Sequence, residues 1–398
     1  MQGGNLLAGN IIDMGNSKYR LRYSKGSFND RKYYSETIYA SSMREAQKEL
    51  SKFIAKIEGG CTYSASKTTL NQFSKTWLET YVKPNLSPTT YQSYTEKLKM
   101  HILPYLGHRR LDKITPFDID SLYNLLSNKF TNRKDANGNY KTLSPASIHR
   151  VHEILSSMFS SAERWNLVPY NPCTKVTKPK YKRTKMTCYD EETSKKLINK
   201  LLETAPLKYK CFILLAMLGG FRRGEIVGLH WDDIDFKNKK ITINRSVYYL
   251  GHEGVKEKST KTDSSNRTIV ISGICFDLLK QWRAEQSTMR LALGEKWHGA
   301  QNIFTTDDGR IMNPATGPKW FSEFLKKNGF PHIRFHDLRH TFANLLISYN
   351  VDVQTVSHKL GHASATTTMN FYVHNLESTD KASTELLDEK LLENVKLV

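Results

Sequence analysis

The stretch Gly219-Gly220-Phe221-Arg222-Arg223-Gly224-Glu225 stands directly behind an apolar helical run at 212–218. Glycine accepts the left-handed backbone that ends many helices, so the pair predicts a C-cap and a sharp turn. A new helix then starts beside Arg222, and the turn can present its guanidinium into a cleft. Taken alone, the stretch reads first as a capped helix end with a surface arginine. Three polar stretches downstream have the same double character. Lys261-Thr262-Asp263-Ser264-Ser265-Asn266-Arg267 is turn-prone and leads into an apolar strand at 268–271. Its lysine can swing into a neighbouring site or stay solvated. His336-Asp337-Leu338-Arg339-His340-Thr341 opens an amphipathic helix, and residues three apart on a helix, such as His336 and Arg339, share a face. They can grip one anion or make ordinary surface contacts. Leu360-Gly361-His362 comes next, and ten residues on stands Tyr372, which beside Phe371 reads alone as a core residue.

Around these stretches, the chain from 186 to 398 has a mixed pattern. Helices are expected at 197–202, 211–218, 278–291, 320–326 and 339–348, and strands at 240–243 and 267–271 around a polar hairpin. Residues 68–175 read as an all-α bundle. Ser87-Pro88, Thr115-Pro116 and Ser144-Pro145 each pair an N-cap with proline at the first helical position. Ile148, Val151, Ile154, Leu155, Met158 and Phe159 form a core-facing stripe, whereas the polar 132–141, with Asn137-Gly138, reads as an exposed loop. A lysine-rich linker is expected at 175–185. In residues 1–62, Tyr19, Leu21 and Tyr23 alternate with Lys18, Arg20 and Arg22, the period of a half-buried strand. A turn at 25–30 and a second strand at 31–37 follow, then a helix capped by Ser42 whose apolar face is Ala46, Leu50, Phe53, Ile54 and Ile57. Such a basic sheet can lie in a DNA major groove, or it can be a small accessory fold with a solvated face. The fold class is multidomain α+β: a small sheet-plus-helix domain, a helical bundle, and a mixed, mainly α domain with a small antiparallel sheet.

The chain has 398 residues, enough for two or three domains. Lysine and arginine outnumber aspartate and glutamate by 59 to 39, for a net charge of +20. That excess suits a polyanion, since cations contacting phosphates release condensed counterions; charge alone leaves DNA, RNA and anionic lipid open. No apolar run has the roughly 20 residues that span a bilayer, and no signal peptide is visible at the N-terminus. The five scattered cysteines contain no C-x-x-C pair and read as reduced thiols of a cytoplasmic protein.

Together, in this order and spacing, the four polar stretches resemble the signature set of the tyrosine recombinases, the phage integrase family. Gly220 to Trp231 resembles the family's first box, Lys261 to Arg267 its catalytic-lysine hairpin, and His336 to Thr341, Leu360-Gly361-His362 and Tyr372 its second box and nucleophile. The resemblance covers about 190–375 on motifs. Residues 68–175 resemble the core-binding domain, and 1–62 the arm-binding domain of larger integrases, by pattern and order. It implies that Arg222 and Arg339 hold the scissile phosphate, that His336 and His362 donate hydrogen bonds, and that Lys261 is the general acid. Tyr372 would be the nucleophile and Glu225 a supporting acidic group. The polar insert at 132–141 and an extended hairpin at 250–260 depart from the family pattern.

The residue types suit phosphodiester transfer. Two guanidinium forks bind non-bridging oxygens bidentately, and each preorganised donor is worth on the order of 3 kcal/mol. A phosphotyrosine link conserves the energy of the broken bond, so neither ATP nor metal is needed, and the sequence has no Walker loop. The implied partners are double-stranded DNA at core and arm sites, three further copies of the chain in a tetramer, and an excisionase or DNA-bending accessory protein; no membrane is expected. The setting is a prophage or a conjugative transposon in the bacterial cytoplasm, at the nucleoid. Rivals are a chromosome-dimer resolvase, which lacks the N-terminal segment, a type IB topoisomerase, and a catalytically silent DNA-binding regulator. Leu386, Leu387, Leu391, Leu392 and Val395 make an apolar stripe on a terminal helix, which can dock on its own domain or, as the resemblance implies, on a neighbour.

Overall fold

The computed structural model describes residues 9–25, 32–58, 67–134, 138–181, 187–259, 266–299 and 301–361. The chain forms two compact units, residues 1–183 and 184–398.

In the first unit, β1 (Gly9–Asp13), β2 (Lys18–Lys25) and β3 (Lys32–Tyr39) make an antiparallel sheet in that order. The alternation of β2 works as expected: Tyr19, Leu21 and Tyr23 are buried, and Phe53 and Ala46 of α1 (Met43–Glu58) belong to the same small cores. Lys18, Arg20 and Arg22 alternate with them and so occupy the other sheet face. The sequence reading found two of the three strands. β1 is short, and its Ile11-Ile12 pair breaks the alternation that would have marked it.

The helical part starts with α2 (Leu70–Trp77), which runs through a π-helical turn, Leu78–Val82, into α3 (Lys83–Asn85). α4 (Pro88–Lys97) runs likewise through Leu98–Ile102 into α5 (Leu103–Leu106). Each π-helical turn is followed at once by a proline-containing turn, with Pro84 and Pro104, where a regular helix loses a backbone donor. α6 (Pro116–Ser127) and α7 (Pro145–Arg164) complete the bundle. All three Ser/Thr-Pro pairs cap as expected, with Ser87, Thr115 and Ser144 accepting from the backbone N–H three residues on. The whole predicted stripe of α7 is buried, and Trp77 Nε1 donates to Ser161 Oγ at 3.0 Å in the core. One expectation needs correction. The bundle is not all-α, because the stretch read as a loop carries a hairpin, β4 (Phe130–Lys134) and β5 (Tyr140–Thr142). Its strands are exposed throughout most of their length, so no apolar alternation announced them.

The second unit begins with α8 (Glu191–Thr204), α9 (Leu207–Gly219) and the short α10 (Arg223–Val227). Then come β6 (Ile234–Asp235), β7 (Lys240–Ile243), the hairpin β8 (Arg245–Leu250) and β9 (Gly254–Ser259), and β10 (Arg267–Val270). The sheet order is β10-β7-β6, antiparallel, and β8–β9 stands as a separate ribbon. α11 (Gly273–Leu293), α12 (Thr316–Lys327), α13 (Phe335–Ser348) and α14 (Val353–Leu360) follow. α9 is the core helix: every residue from 211 to 217 is buried, and α11, α12 and α13 pack against it. A helix apolar on all sides is stable only when enclosed, which places its C-terminal end, and so Gly219-Gly220, deep in the unit. Among the described residues, no helix is long and apolar enough to cross a membrane. The predicted terminal helix at 385–398 lies outside the described residues.

Candidate active site

α9 stops at Gly220, whose φ of +66° is the left-handed cap expected from the glycine pair. The chain turns there, and Arg222 becomes the N-cap of α10. Glu225, one turn on, reaches back: its Oε2 accepts from the Arg222 backbone N–H at 2.9 Å, and its Oε1 from Arg222 Nη1 at 2.7 Å. α13 opens with the same device, Asp337 Oδ2 accepting from the Arg334 backbone N–H at 2.8 Å while its carboxylate also pairs with the Arg334 guanidinium. Both motif helices are thus fixed at their first turn by an acid at the third position, which satisfies an orphan donor and suits the positive helix end.

These helices deliver their arginines to one place, the C-terminal end of α14. Arg222 Nη2 donates to the Gly361 carbonyl at 3.0 Å. Arg339 donates from Nη2 to the Leu360 carbonyl at 2.6 Å and from Nη1 to the Gly220 carbonyl at 2.5 Å. A third arginine, Arg267 at the start of β10, donates from Nε to the Lys359 carbonyl at 3.0 Å. Three successive carbonyls at the negative end of one helix therefore each receive a guanidinium. Arg267 also clasps Glu225 with both terminal nitrogens, Nη1 to Oε1 at 3.2 Å and Nη2 to Oε2 at 2.8 Å.

Burial differs sharply around this cluster. The Arg267 and Glu225 side chains are 2% and 4% exposed, whereas that of Arg222 is 38% exposed and so open to a ligand. Burial by itself would raise the Glu225 carboxyl, but the hydrogen bond from Arg267 and the charges of Arg267 and Arg222 outweigh it and hold the group below its ordinary range. Arg339 is pushed down to about 9, first by burial and then by the charge of Arg222, and so remains a cation at neutral pH. His336 is also lowered, by desolvation and then by Arg339. Its ring stands 4.8 Å from that of His340, edge to face, and His340 falls to about 4 through burial and then through His336. Both imidazoles are neutral at pH 7.

Of the residues singled out in the sequence, Arg222, Glu225 and Arg339 converge directly, and His336 lies on the helix that carries Arg339. Lys261, His362 and Tyr372 lie outside the described residues, although His362 is the next residue after Gly361 in the chain. Sequence reasoning assigned Arg267 no role. A signal existed: in β10, Arg267 and Ile269 are buried while Thr268 and Val270 are exposed, so the strand period extended by one residue puts Arg267 on the inward face. Among the described residues, no group of three or more His, Cys, Asp and Glu side chains is placed to hold a metal ion.

The family model "Phage integrase family" matches residues 189–379, and "Phage integrase, N-terminal SAM-like domain" matches residues 69–127. A tyrosine recombinase XerC-like protein of Caldanaerobacter subterraneus subsp. tengcongensis is 26% identical over 395 residues, covering 96% of this chain and 98% of the relative. The ICEBs1 integrase of Bacillus subtilis is 29% identical over 305 residues, 76% of this chain and 78% of its own. Among solved structures, the Tn1549 transposon integrase in complex with a circular intermediate DNA shares the fold, with a TM-score of 0.63 at 18% identity over 81% of this chain and 100% of that one. These likenesses define a site-specific recombinase of the tyrosine type. Residues 189–379 belong to the phage integrase family of tyrosine recombinases, and residues 69–127 match its N-terminal SAM-like domain.

Proposed function

We infer that this recombinase breaks and rejoins DNA at specific sites through a 3′-phosphotyrosine, and so integrates and excises a mobile element. The observation that carries the reading is the cluster at the end of α14. There the guanidinium groups of Arg222 and Arg267 share the carboxylate of Glu225, that of Arg339 bonds the Gly220 and Leu360 carbonyls, and the surplus positive charge suits a phosphate. Arg222 and Arg339 hold the non-bridging oxygens of the scissile phosphate, with His336 and His362 donating further bonds, and Glu225 keeps Arg222 in place. Two forks match a phosphate better than two lysines would, because their donors are planar and paired.

The Tyr372 hydroxyl gives its proton to solvent water as its oxygen attacks phosphorus. The bond to the 5′-oxygen breaks, and that oxygen takes a proton from Lys261. A phenol ionises near pH 10, so the cations that stabilise the phosphate also favour the phenolate. Rejoining reverses these steps with a new 5′-hydroxyl, and the energy of the original bond is retained. Preorganised donors of this kind each contribute about 3 kcal/mol, roughly a hundredfold in rate.

The DNA-bound transposon integrase of the same fold supports a DNA partner. The helical part at 68–175 would hold the core site. The sheet face with Lys18, Arg20 and Arg22, within 1–62, would read arm sites. Four protomers act together because four strands are exchanged, in the cytoplasm, with an excisionase or DNA-bending protein setting direction. The test is Tyr372→Phe on a nicked core site. The variant should form no covalent DNA adduct and bind within about threefold of the parent, since the change removes the nucleophile without altering charge. An adduct with the Phe variant would assign the nucleophile elsewhere.

A further inference from the structure

The bonds around Glu225 form a closed ring. Arg267 is fixed by the sheet, where it pairs with Ile243 of β7. From there its fork reaches Glu225 on α10 and its Nε reaches the Lys359 carbonyl on α14. Glu225 passes the constraint to Arg222, and Arg222 returns it to the Gly361 carbonyl two residues beyond Lys359. The fit is close: a Cβ placed on Gly361 would lie 2.7 Å from Arg267 Nη1. Only a guanidinium can close this ring, because it needs a two-pronged donor for the carboxylate and a third donor at an angle for the carbonyl.

We propose that Arg267 is a positioning residue for strand cleavage, which sets the Arg222 fork by fixing Glu225 against the end of α14. The proposal rests on the reading of Arg222 as the phosphate holder. A buried Arg–Glu pair can equally be a plain anchor of the fold, since such pairs are destabilising to break whatever their function. The two roles differ in what they do to the reaction. A plain anchor, once weakened, lowers stability and lowers cleavage of every substrate alike. A positioning residue acts through the contact between Arg222 and the phosphate charge, so its loss matters less when that charge is absent.

The experiment compares full-length parent, Arg267→Lys and Arg222→Ala on nicked core sites carrying either the natural phosphodiester or a neutral methylphosphonate at the scissile position. Melting temperature and DNA binding are measured alongside. Arg267→Lys keeps the charge and loses the fork. Its single-turnover cleavage of the phosphodiester should fall about 10- to 100-fold, as expected for a small misplacement of a reacting group, with binding within about threefold. On the methylphosphonate its defect should shrink to about threefold or less, in parallel with that of Arg222→Ala. Glu225→Asp draws the carboxylate back by one methylene and should show the same substrate-selective defect, which serves if Arg267→Lys does not fold. Equal defects on both substrates, with normal Arg222→Ala behaviour, overturn the proposal alone. If Arg222→Ala cleaves the phosphodiester as well as the parent, the phosphate reading falls first and the proposal falls with it.

Discussion

Replacing Gly361 with alanine should destabilise the C-terminal unit by about 2.5–5 kcal/mol, on two separable grounds. The residue has a φ of +63°, and the left-handed region costs a residue with a Cβ roughly 1–2 kcal/mol. The new methyl group would also lie 2.7 Å from Arg267 Nη1 and 3.0 Å from its Cζ, closer than such atoms approach. That guanidinium cannot swing aside freely, because it is tied to Glu225 and to the Lys359 carbonyl. Giving up one buried, charge-assisted bond costs about 1.5–3 kcal/mol, and the sum is the figure above. For a domain of this size each kcal/mol lowers the melting temperature by roughly 2–4 °C, so a fall of roughly 5–20 °C is expected in calorimetry. Gly361→Asn separates the two grounds, since asparagine tolerates the left-handed region while its Cβ meets the same guanidinium. It should recover only the backbone part. A Gly361→Ala protein melting within about 2 °C of the parent would refute the reasoning.

His340, lowered to about 4 by burial and then by His336, binds its proton less readily folded than unfolded, where its pKa is near 6.5. Its contribution is therefore fully present above pH 6.5 and is lost as pH falls toward 4, so the melting temperature should decline over that window and less steeply in His340→Gln; equal slopes would exclude it as a source. Deleting residues 1–62 should spare cleavage of an isolated core site but impair complete integration, and unaltered integration would refute arm binding by this segment. Truncating after Thr384 should weaken cooperative assembly on paired sites while single-site binding persists; recombination at the parental rate would refute docking of the terminal segment on a neighbour.

What was legible in the sequence follows the strength of local rules. The Ser/Thr-Pro caps and the buried stripe of α7 obey short-range geometry, and each lies where its spacing put it. The glycine cap after α9 was legible for the same reason. The β4–β5 hairpin was missed because its strands bury almost nothing, so no period separates them from a loop. Arg222, Glu225 and Arg339 were legible through their motifs, yet nothing local says that residues 139 and 21 positions away supply the carbonyls they meet. Arg267 shows the limit most clearly. Its inward position was readable from the strand period, but its partners lie 42 and 92 residues away, on two other elements.

That distribution of partners bears on how the proposed site would take up a phosphate. An arginine buried against a carboxylate is neutralised and has little left to offer an anion. Arg339 is buried against two backbone carbonyls instead, which satisfy its hydrogen bonds but cancel only part of its charge. Arg222 shares its carboxylate with Arg267 and spends its other terminal nitrogen on a carbonyl as well. The depressed pKa of Arg339 expresses the resulting stress, since desolvation and a neighbouring cation both oppose its charge. A second carboxylate in place of the carbonyls would relieve the stress and silence the site. Capping a helix end with arginines keeps the forks oriented, through bonds that need no counter-charge, and on the proposed function leaves the neutralising role to an incoming phosphate.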